Sequence, residues 1–311
     1  MEDREALAAL AANMASVLYG KDDVIARVVT ALLAKGHVLL EDVPGVGKTV
    51  LARALARSID CTFSRIQLTP DLLPSDILGV SVYDQGKGAF AFKSGPIFAN
   101  IVLVDEINRT TPRTQSAMLE AMSECQVTAD GHTYPLGPPF MVVATQNPYE
   151  FEGTYFLPEN QLDRFMMRLR MGYPDHQAER EVLLTQPSQE RLAALKPVMS
   201  IDQLLALQRA VRGVRMDEGI VEYILAIAEA TRRNEELAVG LSPRGSLSLA
   251  EASRAAALLA GRDYVVPDDV KDLAVCVCAH RLLTKGLSDG GGSSAAEEIL
   301  RNVLKVVPAP E

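Results

Sequence analysis

"LLEDVPGVGKTVLARALA", residues 39–56, is the stretch from which the rest of the chain is read. "HVLLE" (37–41) is a short apolar run bounded by Gly36 and a Pro/Gly turn, which predicts a strand. "TVLARALARSI" (49–59) has the spacing of a helix. The turn between them ends in Gly47-Lys48-Thr49 and fits the phosphate-binding pattern G-x-x-x-x-G-K-[ST], except that Asp42 stands where the first glycine belongs. The chemistry is specific. Backbone N–H groups of Val43, Pro44-Gly45, Val46, Gly47, Lys48, Thr49 and Val50, at the start of a helix, would wrap a polyphosphate, Pro44 itself lacking the N–H. Lys48 would reach the β- and γ-phosphates, and the Thr49 hydroxyl would face Mg²⁺. The bland alternative is an ordinary glycine-rich turn with a surface lysine, but the flanking strand and helix supply the context a phosphate loop requires.

A second element belongs with this loop. "NIVLVDE" (100–106) is a buried strand ending in two acids. Asp105 would hold Mg²⁺, mostly through water, and Glu106 would orient and deprotonate an attacking water. "PFMVVATQN" (139–147) is another apolar strand, and Asn147 at its end could hydrogen-bond the γ-phosphate without adding negative charge. Alone, Asn147 before Pro148 reads equally well as a turn residue.

Further strands are expected at 61–68 and 164–171, and helices at 3–17, 22–35 and 111–124. Strands alternating with helices predict an α/β fold, a parallel sheet sandwiched by helices with ligands at the carboxyl ends of the strands. Two glycine-turned insertions, at 77–100 and 125–140, interrupt the alternation; Asp130-Gly131 marks a hairpin in the second. After about residue 174 nearly everything reads as helix, so a nucleotide-binding core over 1–174 and a helical lid over 175–287 are expected. "SDGGGSS" (288–294) reads as a flexible linker, and 288–311 as that linker with a C-terminal helical segment.

Composition limits the classes. The 311 residues are 48% hydrophobic and 23% charged, with net charge −9 and no Trp, which suits a sizeable core and argues against a dedicated nucleic-acid binder. Four cysteines form no disulfide framework, the acidic start does not resemble a secretory signal, and no apolar run reaches the ~18 residues of a membrane span; a cytoplasmic protein is expected. Cys276, Cys278 and His280 raise a metal reading, but only Cys276 and His280 share a helix face, too few ligands for structural zinc, so core packing is expected.

"EDVPGVGKT", "RIQLTPDLLPSDILG", "VDEINR", "ATQNPYEFEGTYFLPENQLDRF" and "LSPRG", in this order over about residues 15–285, resemble the MoxR family of AAA+ ATPases. The resemblance implies an AAA+ P-loop core followed by an α-helical lid, with ATP and Mg²⁺ bound between them. Glu106 resembles the catalytic glutamate, Asn147 the sensor-1 residue, Arg164 in "QLDRF" the arginine finger that reaches a neighbouring subunit, and Arg244 in "SPRG" the sensor-2 residue of the lid. Arg168 and Arg109 compete for the finger role. Tyr19-Gly20 would lie against the adenine. The resemblance also implies a hexameric ring that remodels or matures client proteins, metal-cofactor insertion among such tasks, with a von Willebrand factor A domain partner. Tyr83, Phe90, Phe92, His132 and Tyr134 of the insertions could grip a client or simply pack on their own subunit. Two other readings stand beside this one. They are a DNA-acting motor, disfavoured by the acidic balance, and a nucleotide-gated scaffold with little turnover, disfavoured by Glu106 and Arg164. A GTPase is disfavoured by the lack of an N-K-x-D motif.

Overall fold

In the computed structural model the described residues are 2–86, 88–147, 155, 157–185, 189–285 and 292–310. Two helices, α1 (Glu2–Ala15) and α2 (Asp22–Leu33), precede β1 (Val38–Glu41), and the glycine-rich turn leads into α3 (Lys48–Ser58). β2 (Phe63–Gln67) follows, then a short α4 (Pro74–Leu78) and a hairpin of β3 (Gly79–Asp84) and β4 (Ala89–Ser94). β5 (Ile101–Asp105) runs into a 3₁₀ turn and α5 (Pro112–Glu124), followed by a second hairpin of β6 (Gln126–Ala129) and β7 (His132–Pro135). β8 (Met141–Gln146), α6 (Glu159–Leu162) and β9 (Met167–Leu169) complete this part.

Five strands form one parallel sheet in the order β2-β5-β8-β1-β9. β1 and β5 are buried along their whole length, as strands covered on both faces must be. Successive residues serve opposite faces: Val38, Leu40, Ile101, Leu103 and Val143 pack with α1, α2 and α3, whereas Leu39, Val102, Val104 and Ala144 pack with α5. Both insertions are two-stranded antiparallel hairpins outside this sheet.

Helices dominate the remainder: α7 (His176–Thr185), α8 (Gln189–Ala194), α9 (Ile201–Ala210), α10 (Glu218–Arg233), α11 (Pro243–Leu259), α12 (Pro267–Cys278) and α13 (Gly292–Val306). One small ribbon, β10 (Leu237–Val239) with β11 (Leu283–Thr284), lies among them. α1 and α2 pack on α11 and α2 also on α9, so one apolar core continues from the sheet into the helical part. α13 packs on α10 and α12, buries Ile299, Leu300 and Leu304, and pairs Glu297 with Arg168 at 3.2 Å. Most of the expected linker lies outside the described residues, and 292–294 already belong to α13. Among the described residues no helix is long and apolar enough to cross a membrane.

Cys276, Cys278 and His280 are core residues. Burial pushes the two thiols up to about 11 and about 12. The same desolvation, reinforced by Arg281 and Arg168, holds His280 neutral well below the ordinary histidine range. His37 is also buried and lowered; one ring nitrogen faces Met122 O at 3.0 Å and Nδ1 accepts from the Val142 N–H at 3.0 Å. The unfolded chain therefore takes up protons below pH ~6.5 that the folded chain refuses, and stability falls as pH drops through that window. Each histidine is expected to cost up to about 1.4 kcal/mol per pH unit below it. Chemical denaturation between pH 7.5 and 5.5 should show this slope, and His280→Gln should flatten it; an unchanged slope would place the protonation elsewhere.

Candidate active site

The turn after β1 is built for an anion. Gly45 and Gly47 have φ of +87° and +99°, the left-handed region that glycine enters without steric cost. Gly47 caps α3 with no side-chain bond to the helix's first N–H groups, which leaves the positive end of the helix facing the turn. A Cβ added at Gly45 would meet only open space, so the approach to the turn is unobstructed. The Lys48 amine donates to the backbone carbonyl of Asp42.

Asp42 itself does not have positive φ, so the missing glycine needs no compensation. Its carboxylate instead accepts the Val43 N–H at 2.9 Å and the Gly172 N–H at 2.6 Å. A Cβ on Gly47 would lie 3.5 Å from Leu18 and 3.7 Å from Met171, which places both beside the turn. Tyr19 and Gly20 follow directly. The Tyr19 hydroxyl accepts from Arg191 at 2.9 Å, and Gly20, at φ +65°, approaches Ala178 too closely for any side chain.

The acids expected to act on the phosphates stand at the same end of the sheet. Asp105 is buried at the end of β5, and its carboxylate receives the Thr145 hydroxyl at 3.2 Å and Arg65 at 2.6 Å. Glu106 has φ +59°, a conformation that costs a non-glycine residue about 1–2 kcal/mol and persists only where its surroundings hold it. Here the Glu106 N–H is anchored on the Thr145 hydroxyl at 3.0 Å. The Glu106 carboxylate takes the Gln67 amide at 2.9 Å and pairs with Arg109 at 3.1 Å. Gln146 pairs with Glu41, so Asn147, one residue on, is level with Asp42 at the root of the turn.

Arg65, Gln67 and Thr145 were not singled out from the sequence. Arg65 and Gln67 alternate with buried Ile66 in "RIQ", so both point to one face of β2, which is the strand hydrogen-bonded to β5. Lys21 was also missed: its buried amine donates to the carbonyls of Met171, Gly172 and Tyr173 at 2.7–2.9 Å.

The arginines lie elsewhere. β9 runs parallel to β1, with Val38 opposite Met167, and the Met166 N–H bonds His37 O at 2.8 Å. Arg164 precedes the amino end of β9, whereas the turn follows the carboxyl end of β1. The length of β1, about 13 Å, separates them. Arg164 donates to Ser123 at the far end of α5. Asp163 pairs with Arg244 at 3.4 Å and with Arg281 at 2.8 Å, so Arg244 shares the end of the sheet occupied by Arg164. The competing arginines are committed within the chain: Arg168 is buried between Glu41 and Glu297, and Arg109 sits on Glu106.

In the insertions Phe92 and Tyr134 stack at 3.9 Å between ring centres, joining the two hairpins. Tyr83 and Phe90 touch edge to face at 5.3 Å and remain exposed, Phe90 by 74%. His132 is exposed, with Nδ1 3.1 Å from Asp130 O.

Residues 37–167 match the profile of the ATPase family associated with various cellular activities (AAA), and residues 229–303 match the AAA lid domain. Chaperone MoxR1 of Mycobacterium tuberculosis is 42% identical over 95% of this chain and 80% of its own length. The chain belongs to the MoxR family of AAA+ ATPases. The Bacillus subtilis protein YeaC is 52% identical over 94% of this chain and 92% of its own length. A crystal structure of a protein from Cytophaga hutchinsonii superposes with a TM-score of 0.91 at 36% identity, covering 100% of this chain and 96% of that one. The α/β core with its helical lid is thus the AAA+ fold, and the chain is an ATPase.

The residues suit nucleotide and Mg²⁺. Among the described residues no group of three or more His, Cys, Asp or Glu gathers into a cage for a metal. Asp105 at the end of β5 and the Thr49 hydroxyl at the start of α3 would be the donors, an oxygen set that suits Mg²⁺ completing its shell with phosphate oxygens and water.

Proposed function

We propose that this MoxR-type ATPase works as a closed ring, six subunits by family resemblance, in which Arg164 and Arg244 of one copy complete the nucleotide site of the next. The observation that carries this reading is the placement of both arginines at the end of the sheet opposite their own phosphate loop. Loop backbone, Lys48 and Thr49 would hold the ATP phosphates, with Tyr19 and Gly20 near the base. Asp105 would hold Mg²⁺, which neutralises developing phosphate charge. Glu106 would take the proton of the attacking water while Asn147 orients it. An arginine fork supplied from outside would stabilise the charge on the transferring phosphoryl group.

Turnover in such a ring would move the helical lid against the core and carry the stacked hairpins with it. The exposed Tyr83 and Phe90 at the outer hairpin suit contact with a protein client, and the chaperone name of the 42% identical relative supports a remodelling or maturation role. Metal-cofactor insertion and a von Willebrand factor A domain partner are further expectations from family resemblance, as is a cytoplasmic site of action.

The test is the specific ATPase rate with Mg²⁺ as protein concentration rises, alongside subunit mass. A rate that climbs and saturates as the assembly forms is expected. An undiminished rate from a species of monomer mass would overturn the shared site.

A further inference from the structure

Asp42 occupies the glycine position of the general phosphate loop, yet its backbone does not need a glycine and each oxygen of its carboxylate accepts an N–H. One oxygen holds the loop itself through the Val43 N–H. The other reaches 130 residues along the chain to the Gly172 N–H at 2.6 Å. Gly172 lies in the connector between β9 and α7, with φ +63°. The same connector is also held by the Lys21 amine, which bonds three successive carbonyls. The Asp42 carbonyl, meanwhile, accepts from Lys48.

We propose that Asp42 is a positioning residue that couples phosphate occupancy of the loop to the connector 171–173, and through it to the helical part of the chain. A phosphate at the loop competes for the Lys48 amine. Drawing that amine off the Asp42 carbonyl frees the 42–43 peptide to turn while the Asp42 N–H stays on Gln146 O at 3.1 Å, and the Val43 N–H of that peptide holds the carboxylate that bonds the connector. Lys21 ties the carbonyls of 171–173 to one another, so a pull on Gly172 is shared by the three residues. The inference rests on the loop being a nucleotide site, and its test separates the two.

The measurement is hydrogen exchange of peptides covering 171–178, with and without Mg-ADP, together with binding of a fluorescent ADP analogue, in wild type, Asp42→Asn and Asp42→Gly. Asparagine keeps size and shape but has one acceptor oxygen, so it can satisfy only one of the two N–H groups. Glycine restores the general loop pattern and should remain competent to bind. Wild type is expected to change exchange at 171–178 when Mg-ADP binds. Both variants are expected to bind within about tenfold of wild type while this response is halved in Asp42→Asn and absent in Asp42→Gly. A full response in Asp42→Gly, no response in wild type that does bind, or loss of binding in both variants would each overturn the coupling role. Wild type that fails to bind Mg-ADP at all would instead overturn the nucleotide reading beneath it.

Discussion

Arg164→Ala should bind nucleotide as wild type does and lose hydrolysis by about 10³-fold, the effect of removing an arginine that stabilises phosphoryl-transfer charge from outside the site. The reason is geometric. Arg164 lies about a strand's length from its own loop, and the turn that carries it is clamped by Arg281, which is buried and bonded to Asp163 and to the carbonyl of Phe165. No side-chain rotation brings it to Lys48. Its bond to Ser123 would have to open for it to serve a neighbour's phosphates. Inactive Arg164→Ala subunits mixed with inactive Glu106→Gln subunits should therefore recover activity. A working site needs a loop with Glu106 from the first and an arginine from the second, which random mixing at equal amounts places together at about a quarter of the interfaces of a ring. Absence of recovery at every ratio, with mixed rings confirmed by mass, would mean that Arg164 does not act between subunits. Arg168→Ala is the contrasting case: it breaks a buried pair with Glu41 and Glu297 and should lower stability without complementing anything.

The loop, the acidic strand end and the strand bearing Asn147 were legible because each is local: a short apolar run, then the residues its chemistry needs, at the carboxyl end where ligands of parallel sheets collect. Their convergence followed from the α/β pattern alone. The side of the molecule on which Arg244 lies was not local. "SPRG" announced a helix start, and Ser242 does cap α11 by accepting from Gly245 N–H. Where that start docks depends on Asp163, 81 residues earlier, and on Arg281 beside it. Arg65 and Gln67 were hidden for a similar reason. Alternation in "RIQ" shows which residues share a face, but their role depends on β2 lying next to β5, a pairing no spacing reveals. The expected strand over 164–171 shortened to Met167–Leu169 because Arg164, Phe165 and Met166 form the turn held by Arg281. α13 was legible as a last helical segment after a glycine-rich stretch, but where it docks was not: its apolar stripe, Ile299, Leu300, Val303 and Leu304, packs it on α10 and α12.

Glu106→Gln should retain nucleotide and lose turnover by at least about 10²-fold, the usual contribution of a positioned general base. The substitution is nearly isosteric. The backbone of residue 106 is held by Thr145 rather than by its own side chain, so its left-handed conformation should survive the change. Binding is expected to depend on the loop and Lys48, whereas Glu106 is bonded to Gln67 and Arg109, so affinity should move little. The carboxylate's two neighbours sharpen the expectation. Gln67 donates to it and Arg109 pairs with it, so the carboxylate is oriented by groups on β2 and on the 3₁₀ turn that follows β5. An amide at 106 would still accept from Gln67 but could neither take a proton nor hold Arg109 by charge. Burst and steady-state assays with radiolabelled ATP separate binding from cleavage directly. Stoichiometric retention of uncleaved ATP is the expected signature. Undiminished cleavage would assign the base to another group and leave Gln67 and Arg109 as mere supports of a strained turn.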